Sequence, residues 1–134
     1  MRNRANAVRR AAASVELAIL LPFIAFLFVI AVDFARIFYY SQVIENCARK
    51  GALYASDAKA PAAQLYANVT QAALGPDSTS FSPQPTVTSS SGTDAAGNGY
   101  VSVTVTWQFQ TLTNFPGVPN TVTLSRTVQM RSAP

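Results

Sequence analysis

The sequence contains no histidine and a single cysteine, Cys47. Histidine is the side chain that most often serves in acid–base catalysis and metal binding, so its absence removes the commonest site chemistry. One cysteine excludes an intrachain disulfide. The chain also lacks a phosphate-binding loop, a Gly-x-Ser-x-Gly motif and clustered carboxylates. These absences predict a protein that is not an enzyme and that uses no metal, no cofactor and no small-molecule substrate.

Charged residues are scarce, at 12% of the chain, and they are unevenly placed. The first ten residues contain no acid but four arginines, which are Arg2, Arg4, Arg9 and Arg10. In the rest of the chain the basic and acidic side chains balance. A basic cluster on one side of an apolar run predicts a cytoplasmic N-terminal anchor, with the remainder of the chain translocated. The position of this cluster beside the apolar run argues against nucleic-acid binding.

The longest apolar run is Ala11–Val32, whose 22 residues include one charge, Glu16. Twelve of the sixteen residues from Leu17 to Val32 are Leu, Ile, Phe or Val. Together they supply about −5 kcal/mol of insertion free energy, whereas an acid costs roughly 2.5–3.5 kcal/mol at the bilayer centre and less near an end. As a helix the run is about 33 Å long, close to the hydrocarbon thickness of a bilayer. We therefore predict a membrane-spanning helix over about 12–32, kinked at Pro22.

The helical pattern continues beyond the apolar run and becomes amphipathic over about 33–56. Its apolar positions recur every three or four residues: Phe34, Ile37, Phe38, Ser41, Ile44, Ala48, Gly51, Ala52 and Ala55. Asp33 and Arg36 are three residues apart, which predicts an ion pair at the outer membrane interface. The sequence thus indicates one helix over 12–56, preceded by a leader, residues 1–11, whose first ten residues we expect to be unordered until they meet a membrane.

Residues 57–134 are predicted to form a small extracytoplasmic domain. Pro61 and Gly75-Pro76 favour a helix over about 61–74. Alternating apolar and polar residues predict strands over about 100–109 and 121–130, with a shorter strand over about 86–90. Trp107 falls on the apolar face, and Arg126 interrupts it, which indicates a position near a sheet edge. The fold class is therefore α+β: a long N-terminal helix, its upper half packed on a small antiparallel sheet, with one extra helix.

Two blocks of the sequence carry a family resemblance. The first is Arg-Arg-Ala-Ala-Ala-Ser-Val-Glu-Leu-Ala-Ile-Leu-Leu-Pro over residues 9–22. The second begins with Asp-Phe-Ala-Arg at 33–36 and continues with Asn-Cys-Ala-Arg-Lys-Gly-Ala-Leu-Tyr-Ala at 46–55. Both resemble TadE-like pseudopilins of the tight-adherence, or type IVc, pilus system. The paired strands near the C-terminus are typical of such proteins but unspecific.

The resemblance implies that a prepilin peptidase removes the leader on the cytoplasmic side of the helix. Counting back from an acid at mature position five, Glu16, places the cut between Ala11 and Ala12. The family usually has glycine where this chain has Ala11. In an assembly, Glu16 of one subunit would pair with the new amine of a neighbour and set the register. The implied partners are the bilayer, the peptidase, other pilin-like subunits and the assembly machinery, and the implied role is pilus assembly and surface adhesion.

Two other readings of the same sequence stay open. In one, the chain is a permanently anchored single-pass protein of the cytoplasmic membrane, whose outer domain binds a partner without entering a pilus. In the other, conventional signal cleavage releases a secreted domain. The mature N-terminus separates the three readings, because a start at Ala12, an intact Met1 and a start beyond Val32 each fit one of them.

Overall fold

The structure is a computed structural model that describes residues 2–57, 66–75, 81–112 and 119–132, with side chains from residue 11 onward. Helix α1 runs without interruption from Arg2 to Ser56. The expectation of an unordered start is therefore wrong for the backbone of residues 2–10. This segment contains neither glycine nor proline, and extending an existing helix requires no new nucleation.

Helix α2 is shorter than the sequence predicts, because it spans Val69–Leu74 instead of 61–74. Residues 66–68 precede the helix, and 61–65 lie outside the described residues. Asn68 is the N-cap, and its side chain accepts a hydrogen bond from the backbone N–H of Gln71 at 2.8 Å. The Gln71 side chain in turn accepts the N–H of Ala67 at 2.8 Å. This reciprocal cap stabilises a helix start at Val69, a signal that the prediction overlooked.

The sheet contains three antiparallel strands in the order β1-β2-β3, formed by Thr86–Thr93, Gly99–Gln110 and Thr121–Arg131. The three predicted strand segments lie within these bounds. Asp94 closes the turn between β1 and β2 by accepting the backbone N–H groups of Ala96 and Asn98. Gly97 occupies the left-handed region at φ +83°, which other residues rarely adopt. This turn fixes the register of the β1–β2 hairpin.

One face of the sheet packs on α1 and the other is open. The buried face alternates as expected along β2, with apolar side chains at every second position. The shared core consists of Ile44, Cys47, Ala48, Ala52, Leu74, Phe81, Val101, Val103, Val105, Trp107, Phe109 and Leu124. On the open face, hydroxyls pair across β2 and β3, as in Thr104 with Thr127 at 2.8 Å. The predicted α+β class, with a long helix, a small antiparallel sheet and one extra helix, is confirmed.

The side of α1 that packs on the sheet is narrower than the predicted apolar face. Ile44, Ala48 and Ala52 are buried, but Phe34 and Phe38 are 72% and 63% exposed. Phe34 and Phe38 fit the spacing of the amphipathic pattern but lie outside the side that packs on the sheet. Spacing alone cannot separate them from the core positions, because apolar residues here cover more than one side of the helix.

Candidate functional site

The lower half of α1 lies outside the outer domain. Ala11–Ser56 contains a stretch long and apolar enough to cross a membrane, and none of its most apolar eighteen residues is buried. The core helix of a soluble protein has a similar composition but is covered by its own fold. Large side chains such as Ile19, Phe23 and Phe28 are more than half exposed here. The uncovered surface excludes a core helix and fits a membrane-anchored protein.

Glu16 projects from this uncovered surface. It is exposed, and its neighbours Val15 and Leu17 are exposed to 60% and 59%. Ala11 and Ala12, on either side of the predicted cut, are exposed as well and lie inside the continuous helix. Their exposure leaves the peptide bond accessible, but a protease would have to open the helix locally to bind it. Cleavage and the pairing of Glu16 with an amine both stay predictions.

The other predicted residues of the lower half lie on the same helix. Pro22 is inside α1, which continues past it, and the predicted kink stays a prediction. Arg2, Arg4, Arg9 and Arg10 belong to the first turns of the helix. Their side chains fall outside the described residues, so their role as a cytoplasmic anchor also stays a prediction.

Asp33 lies one residue beyond the apolar run and is only 5% exposed. Its carboxylate accepts the backbone N–H of Leu112 with both oxygens, at 2.9 and 3.1 Å. Arg36 Nη1 lies 3.3 Å from Oδ1 of the same carboxylate. Asp33 and Arg36 are therefore close enough for the predicted ion pair, and the bond to Leu112 is an addition that local spacing could not reveal. This carboxylate ties the end of β2 to the point where the apolar run stops.

Above Asp33, aromatic rings join α1 to the sheet. The guanidinium of Arg36 lies over the ring of Phe109, 4.8 Å from its centre. Tyr40 contacts the Trp107 ring at a centre-to-centre distance of 4.7 Å. Trp107, buried as predicted, donates its indole N–H to the carbonyl of Pro83 at 2.6 Å. These contacts fix the helix on the sheet.

Further up the helix, small residues allow close packing. A Cβ at Gly51 would lie 3.0 Å from Cβ of Ala73 and 3.1 Å from Cγ1 of Val103, so only glycine fits without movement. Cys47 is fully buried in the core. Arg49 pairs with Glu45 at 2.6 Å on the solvent side. Arg126 of the edge strand β3 reaches back to α1 and donates to the hydroxyl of Ser41.

The carboxylate of Asp94 lies in the turn between β1 and β2. Hydrogen bonds from the backbone and the side chain of Asn98 hold the pKa of Asp94 below its ordinary value of 3.8. Within the described residues, no three cysteine, aspartate or glutamate side chains come together as a metal ion would require. The hydrogen bonds of Asp94 serve the hairpin turn and give it a local structural role.

The fold and the uncovered helix define a class: a protein with one N-terminal apolar helix suited to a membrane and a small α+β domain built on its upper half. The model of a family described as TadE-like protein matches residues 5–53 of the chain. The match covers the first sequence block and all but the last two residues, Tyr54 and Ala55, of the second, and it confirms the resemblance to this family. No curated protein and no solved structure matches the chain.

Proposed function

We propose that the chain is a TadE-like minor pilin, a non-enzymatic subunit that inserts into the cytoplasmic membrane and takes part in assembly of a type IVc pilus. One observation carries the proposal: α1 leaves its apolar lower half uncovered while its upper half belongs to the core of the outer domain. Such a helix can exchange lipid for the helices of neighbouring subunits without unfolding the domain. Surface adhesion follows from membership in the pilus.

An exposed ring well above the apolar run supports assembly over a purely anchoring role. Phe38 lies six residues beyond Val32, outside the domain core, and is 63% exposed. A membrane anchor that ends in the headgroup layer leaves a large apolar group at this height uncovered, whereas a helix that packs among other helices buries it. We propose that this ring becomes covered when the subunit leaves the bilayer.

The mature N-terminus tests the processing step. We expect the protein, expressed with its prepilin peptidase, to begin at Ala12 when its intact mass is measured. Ala11→Leu places a large residue before the cut and should leave Met1 or Arg2 at the N-terminus. An unprocessed wild-type chain would favour the permanently anchored alternative, and a start beyond Val32 would favour a secreted domain.

Glu16 tests the assembly step. Glu16→Ala should insert into the membrane as well as the wild type but be absent from sheared pilus fractions, because the subunit lacks the carboxylate that pairs with a neighbouring amine. Glu45→Ala removes an acid from the same helix within the outer domain, where Glu45 pairs with Arg49, and serves as the matched control. Normal incorporation of Glu16→Ala would remove the proposed register contact.

A further inference from the structure

Strand β2 runs down α1 towards the membrane end of the helix. Three contacts follow one another in chain order. The Trp107 ring contacts the Tyr40 ring, the Phe109 ring lies under the Arg36 guanidinium, and the Leu112 N–H binds the Asp33 carboxylate. Each step along the strand meets a residue earlier on the helix. β2 and α1 are therefore antiparallel, and the chain reaches the end of the apolar run at Leu112, two residues beyond the end of β2 at Gln110.

The position of Asp33 on α1 sets the height of this contact above the bilayer. The apolar run ends at Val32, so Asp33 is at the outer edge of the hydrocarbon. A headgroup layer about 5–7 Å thick covers roughly the next four residues at 1.5 Å each. Side chains of a helix tilt towards its N-terminus, which brings the Asp33 carboxylate, and Leu112 bonded to it, closer to the lipid.

The side chains exposed at this level are large and apolar. Leu112 is 64% exposed and Phe34 is 72% exposed, and we call these two residues the basal patch. The acid at the same level, Asp33, does not oppose lipid contact because its charge is buried and hydrogen-bonded. Arg36, whose side chain is 36% exposed, lies 3.3 Å from this carboxylate and offsets its charge at the same level.

We propose that the basal patch docks on the outer leaflet of the membrane that α1 spans, with Leu112 and Phe34 entering the boundary between headgroups and acyl chains. The proposal rests on the membrane span of the proposed function. Lipid is the occupant because the patch continues the uncovered apolar surface of α1 at the place where that surface leaves the hydrocarbon. The outer domain is thereby held against the membrane by its base as well as by its helix.

Labels placed on the full-length protein in vesicles test the proposal. Leu112→Cys is made in a Cys47→Ala background, labelled with a polarity-sensitive fluorophore and reconstituted with lipids that carry a nitroxide near the headgroup. Leu53→Cys is the matched control, since Leu53 is 59% exposed but lies twenty residues beyond Asp33 on α1. Ile24→Cys reports insertion of the span. Trp107 emission confirms that each labelled variant is folded.

We expect the label at position 112 to lose about half of its emission to the nitroxide lipids, because interfacial groups lie about 5–10 Å inside the leaflet. The label at position 53 should keep its emission and respond to aqueous iodide instead. Equal behaviour at the two positions would overturn the proposal. Protection at position 112 from both quenchers would also overturn it, because a second copy would then cover the patch. The label at position 24 is tested with lipids that carry a nitroxide deep in the acyl chain. If these lipids do not quench its emission, the membrane span itself, and so the proposed function, is refuted.

Discussion

Asp33 joins two parts of the molecule that are distant in the sequence. Its carboxylate accepts the N–H of Leu112, 79 residues away, while Arg36 lies within ion-pair distance. Hydrogen bonds to a charged group contribute roughly 1.5–3 kcal/mol each when a partner is removed. We expect Asp33→Ala to destabilise the outer domain by about 2–3 kcal/mol, measured as a shift in urea unfolding followed by Trp107 fluorescence. Asp33→Asn keeps one neutral acceptor and should cost less, so equal losses would show that the acceptor contributes nothing without the charge.

Asp94 gives a pH-dependent contribution at the opposite end of β2. Because the folded pKa is below the ordinary 3.8, the charged form stabilises the native turn. This stabilisation is present above the unfolded pKa and is lost as the pH falls through the folded pKa. Wild type should therefore unfold at higher urea concentration than Asp94→Asn at pH 7, and the difference should shrink as the pH falls below the ordinary pKa of 3.8. A difference that is constant with pH would show that the carboxylate charge plays no part.

At the scale of elements, Gly51 sets the distance between α1 and the rest of the core. Its missing Cβ leaves room for Ala73 of α2 and Val103 of β2. Gly51→Val should destabilise the domain by about 2 kcal/mol through overpacking, seen as a lower urea midpoint. Leu53→Val puts the same β-branched residue at an exposed position of the same helix and should change stability by less than about 0.5 kcal/mol. Valine has a higher helix propensity than glycine, so a loss no larger than that of Leu53→Val would mean that the space at Gly51 does not limit the side chain.

The elements differ in how well local pattern predicts them. The alternation in Val101, Val103 and Val105 determines both a strand and its buried face, so β2 and the packing of the sheet follow from the sequence. The start of α2 depends on a cap by Asn68, which competes with a proline further upstream. The exposure of Phe34 depends on which side of α1 the sheet occupies. The tertiary fold determines which side that is, and the local spacing of residues does not reveal it.

The candidate site divides in the same way. The apolar run, its single acid and the basic residues before it are local features, and the sequence contains all of them. The bond between Asp33 and Leu112 is nonlocal, because it forms only when β2 descends along the helix. Sequence reasoning therefore identifies the apolar run and places Asp33 near Arg36, but it misses the connection that fixes the outer domain to the end of that run.

For the whole molecule, the decisive property is that the two halves of α1 differ in their packing. Among the described residues, every member of the core cluster and every partly buried hydrophobic side chain packed against it lies at Ile37 or later in the chain. Within that part of the chain, the apolar run therefore contributes nothing to the hydrophobic core. Residues 33–134 should fold without the preceding segment, and the new helix start gains from the negative charge of Asp33 near its N-terminus.

We expect a fragment of residues 33–134 to unfold cooperatively, with a urea midpoint close to that of the full-length protein in detergent and with Trp107 in the same buried environment. The comparison uses Trp107 emission and amide hydrogen exchange of β2 and β3. Ile44→Ala in the fragment is the control for a core loss, at about 2–5 kcal/mol. If the fragment shows no cooperative unfolding in urea and its β2 amides exchange freely, the span is part of the folding unit. The helix could then not move from lipid to neighbouring subunits independently of the domain.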